Sequence, residues 1–222
     1  PKAKDACKTT QLWLRRIKAT GVPFVFRSAT TPKENNNTFY VKLTKDYYIG
    51  VFELTQKQYQ LVMGEWPNSW FTNGQYRASR PVEGLKFYSL TGTWDDTQAS
   101  PSSISAASFL GKVRAKTGLP VNIPSNIQLN FAARGGTLLD GGVFNSYYVN
   151  GVSPARTDVA RSKNNVEITS PERNCDAKSG TANVGTYIPN EYGLYDTLGN
   201  VSEFTSEIGY SNGDIPCREY YW

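Results

Sequence analysis

At 222 residues and 24.7 kDa, the chain is long enough for one large domain or two small ones around a sizeable core. Its 39% hydrophobic, 19% charged and 13% aromatic residues, with 19 Gly and 12 Pro, exclude a disordered or coiled-coil chain and describe a loop-rich globular one. No apolar run approaches the length of about 18 residues that a membrane-spanning helix needs, and the absence of histidine removes Ser-His-Asp and Cys-His nucleophiles, His-ligated zinc and facial-triad iron together.

The formal charge of +5 is unevenly spread. Residues 1–33 carry eight Lys or Arg against Asp5, whereas residues 34–222 carry 16 basic against 18 acidic side chains. The division sets a basic N-terminal segment, 1–33, apart from a nearly neutral body, 34–222. A nucleic-acid-binding face interleaves basic and aromatic residues across the folded surface, and this distribution argues against that partner. Cys7, Cys175 and Cys217 are odd in number and widely separated, so neither a metal ribbon nor a thioredoxin-type pair is supported. One disulfide with a spare thiol and three buried thiols are both compatible with them.

In chain order, Leu12, Trp13 and Ile17 predict a short helix in the leading segment. The runs Phe39–Leu43 and Tyr47–Phe52, parted by Thr44, Lys45 and Asp46, predict two strands. A helix follows. Thr55 and Gln58 form a capping box, Tyr59, Val62 and Met63 recur at helical spacing, and Gly64 stands where a left-handed residue ends it. A second helix is expected from about Ser103 to Lys116, with Ala106, Ala107, Leu110 and Val113 on one face and Gly118 beyond. The third opens at Pro124 and Ser125, with Gln128 completing another capping box and Gly135 and Gly136 closing it. Between and after these helices lie stretches rich in Gly, Asn, Ser and Tyr, chiefly 64–80, 136–182 and 209–222. Loops of that length are functional or braced by something. Trp70 and Phe71 are expected in the core.

Five blocks then fall in a telling order: Tyr48 to Gln56; Val62-Met63-Gly64; Arg80-Pro81-Val82-Glu83-Gly84; Ile123-Pro124-Ser125 leading to Ala132-Ala133-Arg134-Gly135-Gly136; and Pro189 to Phe204. Over residues 39–207 the chain resembles the formylglycine-generating enzyme (sulfatase-modifying factor) family. The resemblance implies an α+β, C-type-lectin-like fold with two or three helices, short antiparallel strands and long irregular loops. It also implies that the domain, taken as 34–222, lacks the C-terminal part of the family.

The family holds a structural calcium on the last of these blocks, and the corresponding positions here are Asp196, Gly199, Val201 and Glu203. A hard cation wants oxygen ligands, and a Gly-containing turn between two carboxylates can offer side-chain and backbone oxygens together. Read on spacing alone, Asp196 is a turn residue and Glu203 a solvated strand residue. The chain departs from the family pattern at Asn126, Gln128, Leu129 and Asn130, where the helix is usually acidic and bears a Trp. It departs again at Ser202 and Phe204.

The family's oxidase holds copper on two cysteines five positions apart, after an Arg-Gly-Gly-Ser-Trp-like strand. Neither feature is present here, and a lone Cys217 cannot replace the thiolate pair that soft Cu(I) requires. Iron-dependent sulfoxide synthases of the same fold need histidines and are excluded. The expected function is therefore that of a non-catalytic ligand-binding or display module. Tyr, Trp, Asn and Ser in the loops and at the C-terminal end supply contact area and adaptable hydrogen bonds. The candidate ligand-binding residues are Tyr210, Arg218, Tyr220, Tyr221 and Trp222, facing a protein or glycan. One branch of the fold serves diversity-generating retroelements as the variable protein, displaying a mutable C-terminal surface. That reading implies an extracellular, cell-surface or periplasmic setting, or a phage-encoded one. The alternatives are a copper-dependent oxidase whose cysteine pair lies outside these residues, and a structural subunit of a surface assembly.

Overall fold

A computed structural model describes residues 5–27, 38–92, 104–135, 156–162, 178–210 and 216–220, with 165, 173, 175 and 176 between them. The elements are α1 (Asp5–Thr9), β1 (Leu14–Ile17), β2 (Pro23–Arg27), β3 (Thr38–Lys42), β4 (Tyr47–Gly50), α2 (Gln56–Met63), a 3-10 turn (Arg77–Ser79), α3 (Phe87–Thr91), α4 (Phe109–Thr117), α5 (Asn126–Ala133), α6 (Arg156–Val159), β5 (Glu203–Tyr210) and β6 (Pro216–Tyr220). The architecture is α+β. Three helices of eight or nine residues, α2, α4 and α5, are the expected ones, and α1, α3 and α6 add single turns.

Both capping boxes form. The Thr55 hydroxyl accepts from the Gln58 amide while the Gln58 side chain accepts from the Thr55 amide, and Ser125 and Gln128 repeat the arrangement. Gly64 ends α2 with φ of 90°, and Gly118 ends α4 with φ of 71°. Two expectations give way. The second helix begins at Phe109, because Ser108 accepts from the Gly111 amide and caps it there, which leaves Ala106 and Ala107 in an exposed turn. The leading segment forms a strand, Leu14–Ile17, rather than a helix through Leu12, Trp13 and Ile17.

The strands make three antiparallel pairs: β1 with β4, β2 with β3, and β5 with β6. Although β3 and β4 are consecutive, they do not pair. Asp46 turns the chain between them by accepting from the Ala19 and Thr20 amides, the Thr20 hydroxyl and Arg16. These donors, the Thr20 hydroxyl foremost, hold its carboxyl down to about 2. The N-terminal strands thus enter the main core, where Ile17, Ala19 and Phe24 pack with Phe131, Ala132 and Leu194. Phe24 meets Phe131 edge-on at 5.1 Å between ring centroids.

A second cluster joins Tyr59, Phe87, Phe109, Leu110, Val113 and Ile123, with Tyr59 stacked on Phe109 at 5.3 Å. Phe204 of β5 packs edge-on against Phe87, so the last hairpin is rooted in this cluster. The loops are tied down by buried polar groups. Glu83 accepts from the Trp70 and Phe71 amides and fixes the 64–80 loop, half-burying Phe71; Trp70 stays 47% exposed with Arg173 over its ring, contrary to its expected place in the core. Fully buried Arg80 donates to the carbonyls of Cys175, Asp176 and Ser179 and to the Cys175 sulfur, and lies beside the rings of Phe71 and Tyr76. Cys7 and Cys175 are free and buried.

Candidate functional site

The final sequence block folds as a chain of tight turns. Asn190 starts it: its side-chain amide donates to the last carbonyls of α5, Ala132 and Ala133, and its side-chain oxygen accepts from the Tyr192 and Leu194 amides. Asp196 and Asn200 then take left-handed backbone conformations, φ 53° and 60°, which Asx residues tolerate best among non-glycines. Gly199 lies between them with φ of 73°, and a Cβ there would stand 2.3 Å from the Arg161 carbonyl oxygen. Glycine is thus required twice over. The turn runs from Asp196 through Gly199 and Val201 to Glu203, where β5 begins, and the Asp196 charge is felt at Glu203.

Asp196 is 2% exposed. Its Oδ2 accepts from the Gly185 amide at 2.6 Å, while its Oδ1 is buried with no partner among the described residues. Burial raises its pKa to about 6, against the pull of the Gly185 amide and Lys8. Glu203 is half-buried, and desolvation followed by the Asp196 charge lifts it to about 7. A third acid completes the group. Buried Glu53 accepts from the Asn200 side-chain amide at 2.7 Å and from the Val201 amide at 3.3 Å, and burial with the charges of Asp196 and Glu203 pushes it well above the usual carboxylate range. Lys8 lies over the Phe52 ring at 5.7 Å, and Phe52 stacks on Tyr195.

Burial raises all three carboxyls, the Asp196 charge adds to the rise at Glu53 and Glu203, and Asp196 keeps one oxygen without a partner among the described residues. The donors are all oxygen, the chemistry of a hard cation. Among the described residues no three carboxylates, thiols or imidazoles converge on a single metal position, so a cation at this spot needs backbone carbonyls in its shell. The Gly199–Val201 turn is the source at hand. Reasoning from sequence singled out Asp196 and Glu203 but missed Glu53. Its signal was present, an acid in the otherwise apolar run Val51–Leu54.

The ligand-binding candidates are less tightly grouped. In the β5–β6 ladder Glu203 faces Tyr220 and Tyr210 faces Pro216, with a bulge between. Tyr220 therefore belongs to the root of the hairpin, beside the acidic cluster, and Tyr210 to its far end, roughly 20 Å away at the rise of a strand. Arg218 lies on β6 between them. Tyr221 and Trp222 fall outside the described residues. Beside the cluster a cavity of about 1290 Å³ opens between α2, α4, β4 and the start of β5; Glu53, Val201 and Glu203 form part of its otherwise mostly apolar wall.

Solved structures share this fold. Treponema denticola variable protein 1 is 21% identical with a TM-score of 0.54, covering 90% of this chain and 75% of its own. CarF is 19% identical with a TM-score of 0.54, covering 92% and 83%. PvdO from Pseudomonas aeruginosa is 17% identical with a TM-score of 0.57, covering 99% and 82%. A search of curated protein sequences gives no match. No helix among the described residues is long and apolar enough to cross a membrane. The model of the sulfatase-modifying factor enzyme 1-like domain matches residues 17–220, reaching back through the N-terminal strands, and the chain belongs to that family.

Proposed function

We propose that this chain is a non-catalytic recognition module in which calcium braces the root of a display hairpin. The observation that carries the reading is the acidic cluster at that root, with its orphaned Asp196 Oδ1. Calcium would take side-chain oxygens of Asp196 and Glu203 and the backbone carbonyls of Gly199 and Val201, while Glu53 orients the turn through Asn200 and the Val201 amide. The bound cation neutralises charge that the fold otherwise leaves opposed. It thereby fixes the direction in which β5 and β6 leave the domain.

On that base, Tyr210, Arg218 and Tyr220, with Tyr221 and Trp222, form the recognition surface for a protein or glycan. The ladder orders the backbone that carries Tyr210, Arg218 and Tyr220, which lowers the entropy cost of binding. The likeness in fold to a variable protein supports a role of the diversity-generating-retroelement kind, with a fixed scaffold and an exchangeable surface. Against oxidase chemistry stands the sequence itself, in which no two cysteines lie five positions apart. The sulfur of Cys175 is engaged with Arg80 and the Ser179 carbonyl, and that of Cys7 faces Gln11.

Glycan-array and cell-surface binding of the wild type, compared with a Tyr210→Ala/Arg218→Ala/Tyr220→Ala variant, tests the reading. Loss of binding with an unchanged melting temperature is expected. Copper-loaded protein turning over a cysteine-containing client peptide to formylglycine would overturn it.

A further inference from the structure

The 64–80 loop carries two exposed tryptophans, and each has a guanidinium over its ring. Trp66 is 36% exposed, with Arg77 at 4.4 Å and Lys57 at 5.5 Å from a ring centroid. Trp70 has Arg173 over it at 4.9 Å. Thr72 links the two pairs: its amide and hydroxyl donate to the Arg173 carbonyl, and with Lys57, Trp66, Gly74 and Arg77 it borders an open pocket of about 380 Å³. A stretch of four residues keeps the two tryptophans within about 14 Å of each other at Cα.

The cations are held in place without being neutralised. Arg77 donates through Nε to the side chain of fully buried Gln56 and through Nη2 to the Pro67 carbonyl, and Lys57 donates to the Gln60 side chain. Lys57, Arg77 and Arg173 have no ion pair among the described residues. Two acids are near: exposed Glu65 precedes Trp66 in the chain, and Glu83, whose charge reaches Arg77, spends its carboxylate oxygens on the Trp70 and Phe71 amides. Partial burial, the larger effect, lowers the Arg77 pKa while Glu83 opposes it, so this guanidinium gains from a further anion. Among the described residues the pocket lining holds two cations and no acid.

Two indole–cation pairs at short spacing fit a ligand that repeats ring and charge, and the Thr72 hydroxyl and Gly74 main chain give the pocket between them a polar wall suited to sugar hydroxyls. Nucleic acid needs more: the body, with 16 basic against 18 acidic side chains, lacks the extended basic field that tracks a charge on every nucleotide. We propose that Lys57, Trp66, Trp70, Arg77 and Arg173 form a second binding site, for an acidic saccharide chain whose sugar rings lie against the indoles and whose carboxylates pair with the guanidiniums and the ammonium. The site shares no residue with the β5–β6 hairpin surface or the acidic cluster, and needs no calcium.

The probe is a β-1,4-linked hexasaccharide of alternating glucose and glucuronate, titrated calorimetrically into the full chain at low salt, in calcium and in EDTA, at a temperature where both forms are folded. The two titrations should agree. Cellohexaose offers the same rings without charge and is expected to bind at least about tenfold more weakly, the loss of one charge-assisted bond or more. The peptide acetyl-Glu-Gly-Glu-Gly-Glu-Gly-amide offers the same charge without sugar rings and is expected to lose a similar factor. Arg173→Gln leaves the main-chain carbonyl that receives Thr72 in place, and should weaken the hexasaccharide about fivefold at an unchanged melting temperature. Arg77→Gln should weaken it further; if that change also unseats the loop, Arg173→Gln carries the test. Binding that requires calcium, equal binding of cellohexaose or of the peptide, tighter binding of hexathymidylate, wild-type affinity in Arg173→Gln, or no binding of the hexasaccharide at millimolar concentration would each overturn the proposal.

Discussion

The acidic cluster should make the stability of the metal-free protein fall with rising pH, and calcium should reverse that slope. Asp196 is raised from 3.8 to about 6 in the folded state, chiefly by burial. A carboxyl with a raised folded pKa costs nothing below its unfolded pKa, where both states hold the proton; its penalty accrues as pH rises from the unfolded value through the folded one and is constant above. The shift of about two units is worth about 3 kcal/mol at 1.36 kcal/mol per unit, fully developed once the pH passes about 7. For a domain of this size that corresponds to about 6–12 °C in melting temperature. Glu203, raised to about 7, extends the decline toward higher pH, whereas Asp46, held down to about 2, titrates below the window. With calcium bound, the ionised cluster becomes the favoured form and the slope reverses. Free calcium at about 100 times its dissociation constant adds about 2.7 kcal/mol. Differential scanning fluorimetry from pH 3.5 to 8, in EDTA and in calcium, reads both effects. Identical slopes with and without calcium, or an Asp196→Asn variant whose slope in EDTA equals that of the wild type, would refute the reasoning.

Three further perturbations probe the scaffold that carries the site. Gly199→Ala forces a Cβ into a left-handed backbone and against the Arg161 carbonyl, and should cost about 3 kcal/mol by urea denaturation; it should also weaken calcium binding by calorimetry. Asn190→Ala leaves the buried Ala132 and Ala133 carbonyls and two loop amides without their partner, for about 3 kcal/mol in the same assay. Ser125→Ala removes one cap and should cost about 1 kcal/mol, whereas Thr55→Ala should cost about 2 because the fully buried Thr55 hydroxyl also donates to the Lys8 carbonyl. Equal costs for the two caps would show that the Lys8 contact contributes nothing.

How much of this was legible in the sequence depended on the range of the interaction. Capping boxes act within four residues, and both were read at their positions, together with the glycines that end α2 and α4. The start of α4 was missed because two apolar alanines extend the pattern backward, while only the Ser108 side chain decides where the first turn closes. Strand existence was local too, but strand partnership was not. β1 and β4 are brought together by Asp46 reaching back to Thr20 and Arg16, and nothing in either segment names the other. At the site, Asp196 and Glu203 lie in one short block whose spacing is informative. Glu53 joins them from far upstream, through Asn200, and could be noticed only as a charge out of place among apolar neighbours. Trp70 misled for a similar reason: Glu83 fixes its backbone, and its indole faces outward beneath Arg173.

The grip of Arg80 on the segment from Cys175 to Ser179 passes almost entirely through carbonyl oxygens. Such a clamp recognises the path of the main chain and is indifferent to most of the letters written along it. The side chains at 176 and 178 are exposed and add only a local bond, the Asp176 carboxylate accepting from the Lys178 amide, to the course that Arg80 sets. A framework that anchors its coverings by their peptide groups leaves its exterior open to change at little risk to the interior.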